Sequence, residues 1–189
     1  MNICIYGASS NKIDNKYFEE TEKLAYALAK DGHNLVFGAG TNGLMGASAR
    51  GFTKGNGEVI GIAPTFFDVD GVLYDKCTKF IPTETMRERK KIMEDMADAF
   101  IMVPGGLGTF DEFFEIITLK QLARHNKPVV IYDILGYYDK LMEFIDHCIK
   151  EGFVREDCRT LYKTLASPEE VIEYLKSYNE PVKLFKNLK

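Results

Sequence analysis

A chain of 189 residues, 46% of them hydrophobic, is long enough for one ordinary folded domain and too apolar for a disordered segment. Its net charge of −4 argues against a protein that coats nucleic acid or an anionic membrane, so neither is expected as a partner. No apolar run approaches the roughly 18 residues that would cross a bilayer.

In chain order, an apolar run at 2–6 reads as a strand and leads into Tyr6-Gly7-Ala8-Ser9-Ser10. Residues 16–31 carry Phe18, Leu24, Ala25, Leu28 and Ala29 on one helical side, with Gly32 as the stop. A strand at 35–37 runs into Gly38-Ala39-Gly40-Thr41-Asn42-Gly43-Leu44-Met45-Gly46, and a small, alanine-rich helix at 44–54 closes at Gly55. Strands at 59–62 and 79–81 follow. The helix at 85–97 opens on a capping box, Thr85-x-x-Glu88. A strand at 99–103 leads into Pro104-Gly105-Gly106-Leu107-Gly108-Thr109-Phe110-Asp111-Glu112, and the helix at 109–124 is expected to bury Phe113, Phe114, Ile117 and Leu122. A strand at 128–132 and a helix at 137–151 ending at Gly152 come next. Ser167-Pro168-Glu169-Glu170 then supplies N-cap, N1 proline and acidic first turn for a last helix reaching residue 178.

Most of the strands lack polar alternation, as strands buried on both faces do. Strands alternating with helices imply βαβ units, so the expected fold class is α/β with a doubly wound, mainly parallel sheet. We read residues 1–189 as a single domain with 179–189 as a peripheral tail. Cys4, Cys77, Cys148 and Cys158 show no C-x-x-C pairing, and the three histidines are scattered, so no metal site is expected. Unpaired thiols and the lack of a signal-peptide pattern make the cytoplasm the expected compartment.

In a doubly wound sheet, ligands sit outside the carboxyl ends of the strands, where all three glycine-rich clusters fall. The Pro104–Glu112 run is the most informative. Its glycines allow close approach of a ligand to the backbone. Thr109 stands where a helix N-cap belongs, so free N–H groups and the positive end of a helix dipole would face the loop and attract a phosphate. Glu112 follows about 4.5 Å along the helix axis. A carboxylate that close to a phosphate suggests an uncharged ribose between them, hence a sugar phosphate. Thr109-x-x-Glu112 is also readable as a capping box that only closes the helix start, but a cap needs no glycine-rich approach.

Gly38-Ala39-Gly40-Thr41-Asn42-Gly43 matches the G-x-G-x-x-G fingerprint of dinucleotide sites. It follows the second strand instead of the first, and the nearest acid, Glu58, precedes the next strand instead of ending it. Met86-Arg87-Glu88-Arg89-Lys90-Lys91 reads as a solvated helix face or as an anion-binding surface. Met86, Lys90 and Met93 share one face, with Arg89 adjoining. Cations in a first turn are disfavoured by the helix dipole, which points to an anionic ligand nearby.

These elements together resemble a known family. The Pro104–Glu112 run is similar to the PGGxGTxxE signature of the Lonely Guy proteins, the cytokinin riboside 5'-monophosphate phosphoribohydrolases. Met86-Arg87-Glu88-Arg89-Lys90 resembles their M-H-x-R-K element, and the 40–46 segment resembles their G-x-x-G-L-M-G loop. The resemblance extends from the first strand to residue 153. It implies a Rossmann-like three-layer homodimer that cleaves a nucleoside 5'-monophosphate to free base and ribose 5-phosphate, with no metal and no cofactor. The family's catalytic arginine and glutamate fall on Arg89 and Glu112. Substrate binding falls on Ser9, Gly40, Gly43, Met86, Lys90, Gly105, Gly106, Leu107, Gly108 and Thr109. In that scheme Arg89 orients the nucleotide and keeps Glu112 ionised by lowering its pKa. Two departures bear on the base: Arg87 stands where plant-type members have His, and Ala39 interrupts a run that is often all glycine. A lysine decarboxylase label attached to some relatives finds no support in the residues. The alternatives are a non-catalytic nucleotide-binding protein and, less well matched, a dinucleotide-dependent oxidoreductase.

Overall fold

A computed structural model describes residues 1–67 and 69–179. Seven strands, β1 (Asn2–Tyr6), β2 (Asn34–Phe37), β3 (Val59–Pro64), β4 (Lys79–Thr83), β5 (Ala99–Met102), β6 (Val129–Tyr132) and β7 (Lys163–Leu165), form one sheet. Every pairing is parallel, in the order β4-β3-β2-β1-β5-β6-β7. From β1 the chain steps outward to β4, then returns to lay β5 beside β1. Tyr6 pairs with Met102 in that register, and the reversal opens a crevice beyond their carboxyl ends.

Six helices cover both faces: α1 (Asn15–Lys30), α2 (Gly43–Gly55), α3 (Met86–Met96), α4 (Leu107–Gln121), α5 (Asp139–Lys150) and α6 (Pro168–Ser177). Successive strand residues point to opposite faces. Ile3, Ile5, Leu35 and Phe37 therefore pack against α1, α2 and α6 through Leu24, Leu28, Phe52 and Val171. Cys4, Tyr6, Val36 and Phe100 pack on the other face, with Met93 of α3 and Phe113 and Ile117 of α4. The expected α/β class, Rossmann-like with three layers, is the observed one.

Several boundaries move. Helix α4 begins at Leu107 with Gly106 as its N-cap, two residues before the expected start, so Thr109 lies inside the first turn. Phe113 and Ile117 are buried as expected, whereas Phe114 and Leu122 are exposed. Helix α2 runs through Gly55 and is closed by Asn56 in the left-handed conformation (φ +64°). Strand β7 carried no sequence signal, because two of its three residues are exposed on the sheet's edge. The expected tail lies, from residue 180 on, outside the described residues. No described helix is long and apolar enough to cross a membrane.

Candidate active site

A cleft of about 540 Å³ opens at the switch point between β1 and β5. Its walls come from the β1 loop (Gly7 to Ser10), the β2 loop, α3, and the start of α4. Phe67, Val72 and Leu73 of the β3–β4 connection close one side. That connection is clipped to the β2 loop: the Thr41 N–H donates to the Val72 carbonyl at 3.0 Å, and the Tyr74 N–H to the Ala39 carbonyl at 2.8 Å. Ala39 holds φ +61°, so the loop keeps a glycine-like path despite its methyl group.

Arg89 and Glu112 meet on the cleft floor. Thr85 caps α3 by accepting the Glu88 N–H at 3.1 Å, and the Glu88 carboxylate accepts the Glu84 N–H at 2.8 Å, fixing the helix start. One turn on, the Arg89 guanidinium donates through Nε to the Ile62 carbonyl at 3.2 Å and lies 3.0 Å from Glu112 Oε1 through Nη1. Both side chains are nearly buried, at 8% and 11% exposure. The guanidinium passes directly over Gly38, where a Cβ would stand 1.8 Å from Nη2. Only glycine leaves that room.

Burial pushes the Glu112 carboxyl above the ordinary glutamate range; the Arg89 charge and hydrogen bond oppose the rise without cancelling it. The sequence-based expectation of a lowered pKa is therefore corrected, because desolvation outweighs the cation. Taking two charges out of water costs several kcal/mol per ion, roughly, so such a pair is poor evidence of stabilisation. A titratable group shifted by burial and a specific partner, inside a cleft, is the usual mark of a working site.

The start of α4 is the other chemical feature. Gly106, Leu107 and Gly108 are exposed, and no side chain caps the helix. The N–H groups of Leu107, Gly108 and Thr109 take no acceptor among the described residues. They present free donors and the positive helix end to the cleft. The capping-box reading of Thr109-x-x-Glu112 fails here: Thr109 is not the cap, and the Glu112 carboxylate engages Arg89.

The start of α2, which carries the dinucleotide-like fingerprint, differs. Gly43 sits at φ +61° with its missing Cβ only 2.2 Å from the Ala8 carbonyl, so the helix start clasps the β1 loop. Gly43 N–H donates to Asn11 Oδ1 at 2.8 Å, and the Leu44 and Met45 N–H groups donate to the Ala8 carbonyl at 2.7 and 3.3 Å. Those donors are consumed within the protein, which leaves none for a pyrophosphate.

Of the residues singled out in the sequence, Arg89, Glu112, Ser9, Gly40, Met86 and the run from Gly106 to Thr109 line the cleft. Gly43 and Gly105 are buried behind its wall. Lys90 does not line it: its ammonium reaches Asp111 at 2.9 Å and Glu115 at 2.7 Å on α4. Arg87 is exposed and Lys91 pairs with Asp95, so the solvated-face reading holds for that part of the basic run. Sequence reasoning missed Gly38, whose position at the end of β2 was a usable signal. It also missed Phe67, Val72 and Leu73, which lie in a connection without periodic pattern.

The family model described as "Possible lysine decarboxylase" matches residues 45–175. Cytokinin riboside 5'-monophosphate phosphoribohydrolase LOG2 of Arabidopsis thaliana is 35% identical over 176 residues, covering 93% of this chain and 83% of the relative. Cytokinin riboside 5'-monophosphate phosphoribohydrolase LOG of Oryza sativa subsp. japonica is also 35% identical, covering 93% and 73%. Among solved structures, the molybdenum cofactor carrier protein of Chlamydomonas reinhardtii superposes with a TM-score of 0.69 at 20% identity, covering 93% of this chain and 95% of that one. At that identity the likeness is one of fold alone.

Proposed function

This chain belongs to the family of the cytokinin riboside 5'-monophosphate phosphoribohydrolases, and from that membership we propose that it hydrolyses the N-glycosidic bond of a nucleoside 5'-monophosphate. The products are the free base and ribose 5-phosphate. The observation that carries this reading is the buried Arg89–Glu112 pair lying one helical turn beyond the open N-terminus of α4. A ribose 5-phosphate spans that interval, with its phosphate on the N–H groups of Leu107, Gly108 and Thr109 and its ring over Glu112. Breaking the C1'–N bond leaves positive charge on the ring, as in glycoside hydrolysis. The Glu112 carboxylate stabilises that charge more than it stabilises the neutral ground state. Water supplies the hydroxyl to C1' and a proton to the base. Arg89 holds the carboxylate in place, and the phosphate grip supplies remote binding energy for positioning.

The base faces the apolar wall of Met45, Phe67, Val72, Leu73 and Met86, which suits an adenine with an apolar N6 substituent. No lysine lines the cleft, so an amine for Schiff-base chemistry of the decarboxylase kind is missing from the described residues there. A homodimer belongs to the same proposal: α4 leaves Leu107 and Phe114 exposed along a shallow groove that Lys90 and Phe110 also line. A cytoplasmic location fits the four free thiols.

The test is to incubate the purified protein with AMP and with N6-isopentenyl-AMP and quantify base and ribose 5-phosphate by chromatography. Equimolar release of both products is expected. Saturable nucleotide binding without release of base would contradict the reading and leave a binding protein.

A further inference from the structure

The segment joining β5 to α4 is held from behind by three donors. The carbonyls of Val103, Pro104 and Gly105 each accept a hydrogen bond from another part of the chain: from the Tyr138 hydroxyl at 2.8 Å, the Ala8 N–H at 3.0 Å and the Tyr137 hydroxyl at 2.8 Å. Both tyrosines leave β6 through a tight turn in which Leu135 and Gly136 take φ +58° and +71°. The Asp133 carboxylate accepts the Tyr138 N–H at 2.9 Å, and the ring of Tyr17 meets Tyr137 edge-on, with centroids 5.9 Å apart. Burial pushes the Tyr138 phenol well up, so it stays a protonated donor.

Consecutive glycines leave peptide planes free to rotate unless something else fixes them. In a trans peptide the C=O and the following N–H point in opposite directions. A Gly105 carbonyl held against Tyr137 therefore turns the Gly106 N–H to the far side of the plane, and Gly106 lines the cleft. That N–H, like those of Leu107, Gly108 and Thr109, takes no acceptor among the described residues. Four unpaired donors in a row thus border the cleft, and the first depends directly on the tyrosine hydroxyl.

We propose that Tyr137 is a positioning residue for phosphate recognition: its hydroxyl fixes the Gly105–Gly106 peptide so that the donors opening α4 face the 5'-phosphate of the substrate. The proposal rests on the reading of the cleft as a nucleotide site. Tyr137 never touches the reacting atoms; it acts through the loop. Tyr137 is 43% exposed, so removing its hydroxyl disturbs packing little, whereas Tyr138 is buried and its variants would report folding as well.

The experiment compares Tyr137→Phe with the wild-type protein in two assays. Calorimetric titration with ribose 5-phosphate should show an affinity about three- to tenfold lower in the variant, the range one hydrogen bond covers. Steady-state kinetics should show KM for the nucleoside 5'-monophosphate raised by the same factor, with kcat within about twofold of wild type. Turnover of the matching nucleoside, which lacks the phosphate, should not change. A residue that merely supports the fold would shift all substrates alike. Equal ribose 5-phosphate affinity in the two proteins would overturn the proposal while leaving the nucleotide reading standing. A wild-type protein that binds no ribose 5-phosphate would overturn both.

Discussion

Nη1 of Arg89 lies 3.0 Å from Oε1 of Glu112, joining α3 to α4 across the floor of the cleft. The adjacent pair does the same nearer the surface, since Lys90 binds Asp111 and Glu115. Two neighbouring residues of one helix thus grip neighbouring residues of the other. The inner contact holds a carboxylate that is itself nearly buried, and the outer one joins the same two helices nearer the surface.

Gly38→Ala should disable the site without unfolding the protein. The new methyl would stand 1.8 Å from Arg89 Nη2, and the guanidinium would have to leave its place between Ile62 and Glu112. A displacement of that order in a catalytic constellation costs on the order of a hundredfold in rate. We expect kcat/KM to fall by about that factor with an unchanged circular dichroism spectrum. A variant of near-normal activity would mean that the position of Arg89 is not critical.

The pH profile should carry the mark of buried Glu112. Burial raises its pKa, and the proposed mechanism uses the ionised form, so activity should be present above the raised value and be lost as pH falls through it. The acid limb of kcat/KM should therefore lie above pH ~4.3, the ordinary glutamate value. Arg89→Gln removes the opposing cation and should move that limb to still higher pH in whatever activity remains. A limb at the ordinary value in the wild type would show that Glu112 does not govern the rate.

Base preference should respond to Phe67, which faces the cleft from the β3–β4 connection. Phe67→Ala removes part of the apolar wall and should lower the preference for N6-isopentenyl-AMP over AMP by roughly tenfold, the scale of one or two buried methylenes. The check is the ratio of kcat/KM for the two nucleotides. An unchanged ratio would place the substituent elsewhere.

Stability should fall on mild acidification. His125 accepts the Lys127 N–H at Nδ1 (3.2 Å) and faces the Ile116 carbonyl with Nε2 at 2.9 Å, which requires the neutral ring with its proton on Nε2. Burial lowers its pKa, as it does for His33. The unfolded chain takes up a proton at pH ~6.5 while the folded one resists, so stability present above that pH is lost as pH falls towards the folded values. The urea midpoint should drop between pH 7.5 and 5.5, and His125→Gln should shallow the slope. A flat profile in the wild type would refute this.

The sequence carried the fold because inner strands of a parallel sheet are apolar throughout and the glycine clusters fall at their carboxyl ends. Edge strand β7 escaped notice for the opposite reason: Lys163 and Thr164 face solvent and leave no apolar run. Arg89 and Glu112 were legible through motif spacing, whereas the outcome of their contest between burial and pairing was not, since it depends on how far each is removed from water. Lys90 looked like a ligand-binding cation because charge patterns along one helix do not reveal the acids on the next. Met86 was legible as a substrate-binding residue, but Phe67, Val72 and Leu73 were not. Their place in the wall follows from backbone bonds between two loops.

The most direct test is Glu112→Gln, which keeps the shape of the side chain and removes its charge. Base release should be measured at saturating nucleotide, together with nucleotide affinity by calorimetry. If Glu112 stabilises the transition state, kcat should fall by at least about a hundredfold, the scale of one lost transition-state electrostatic contact, with affinity changed only a few-fold. A variant that releases base at close to the wild-type rate would contradict the role given to Glu112.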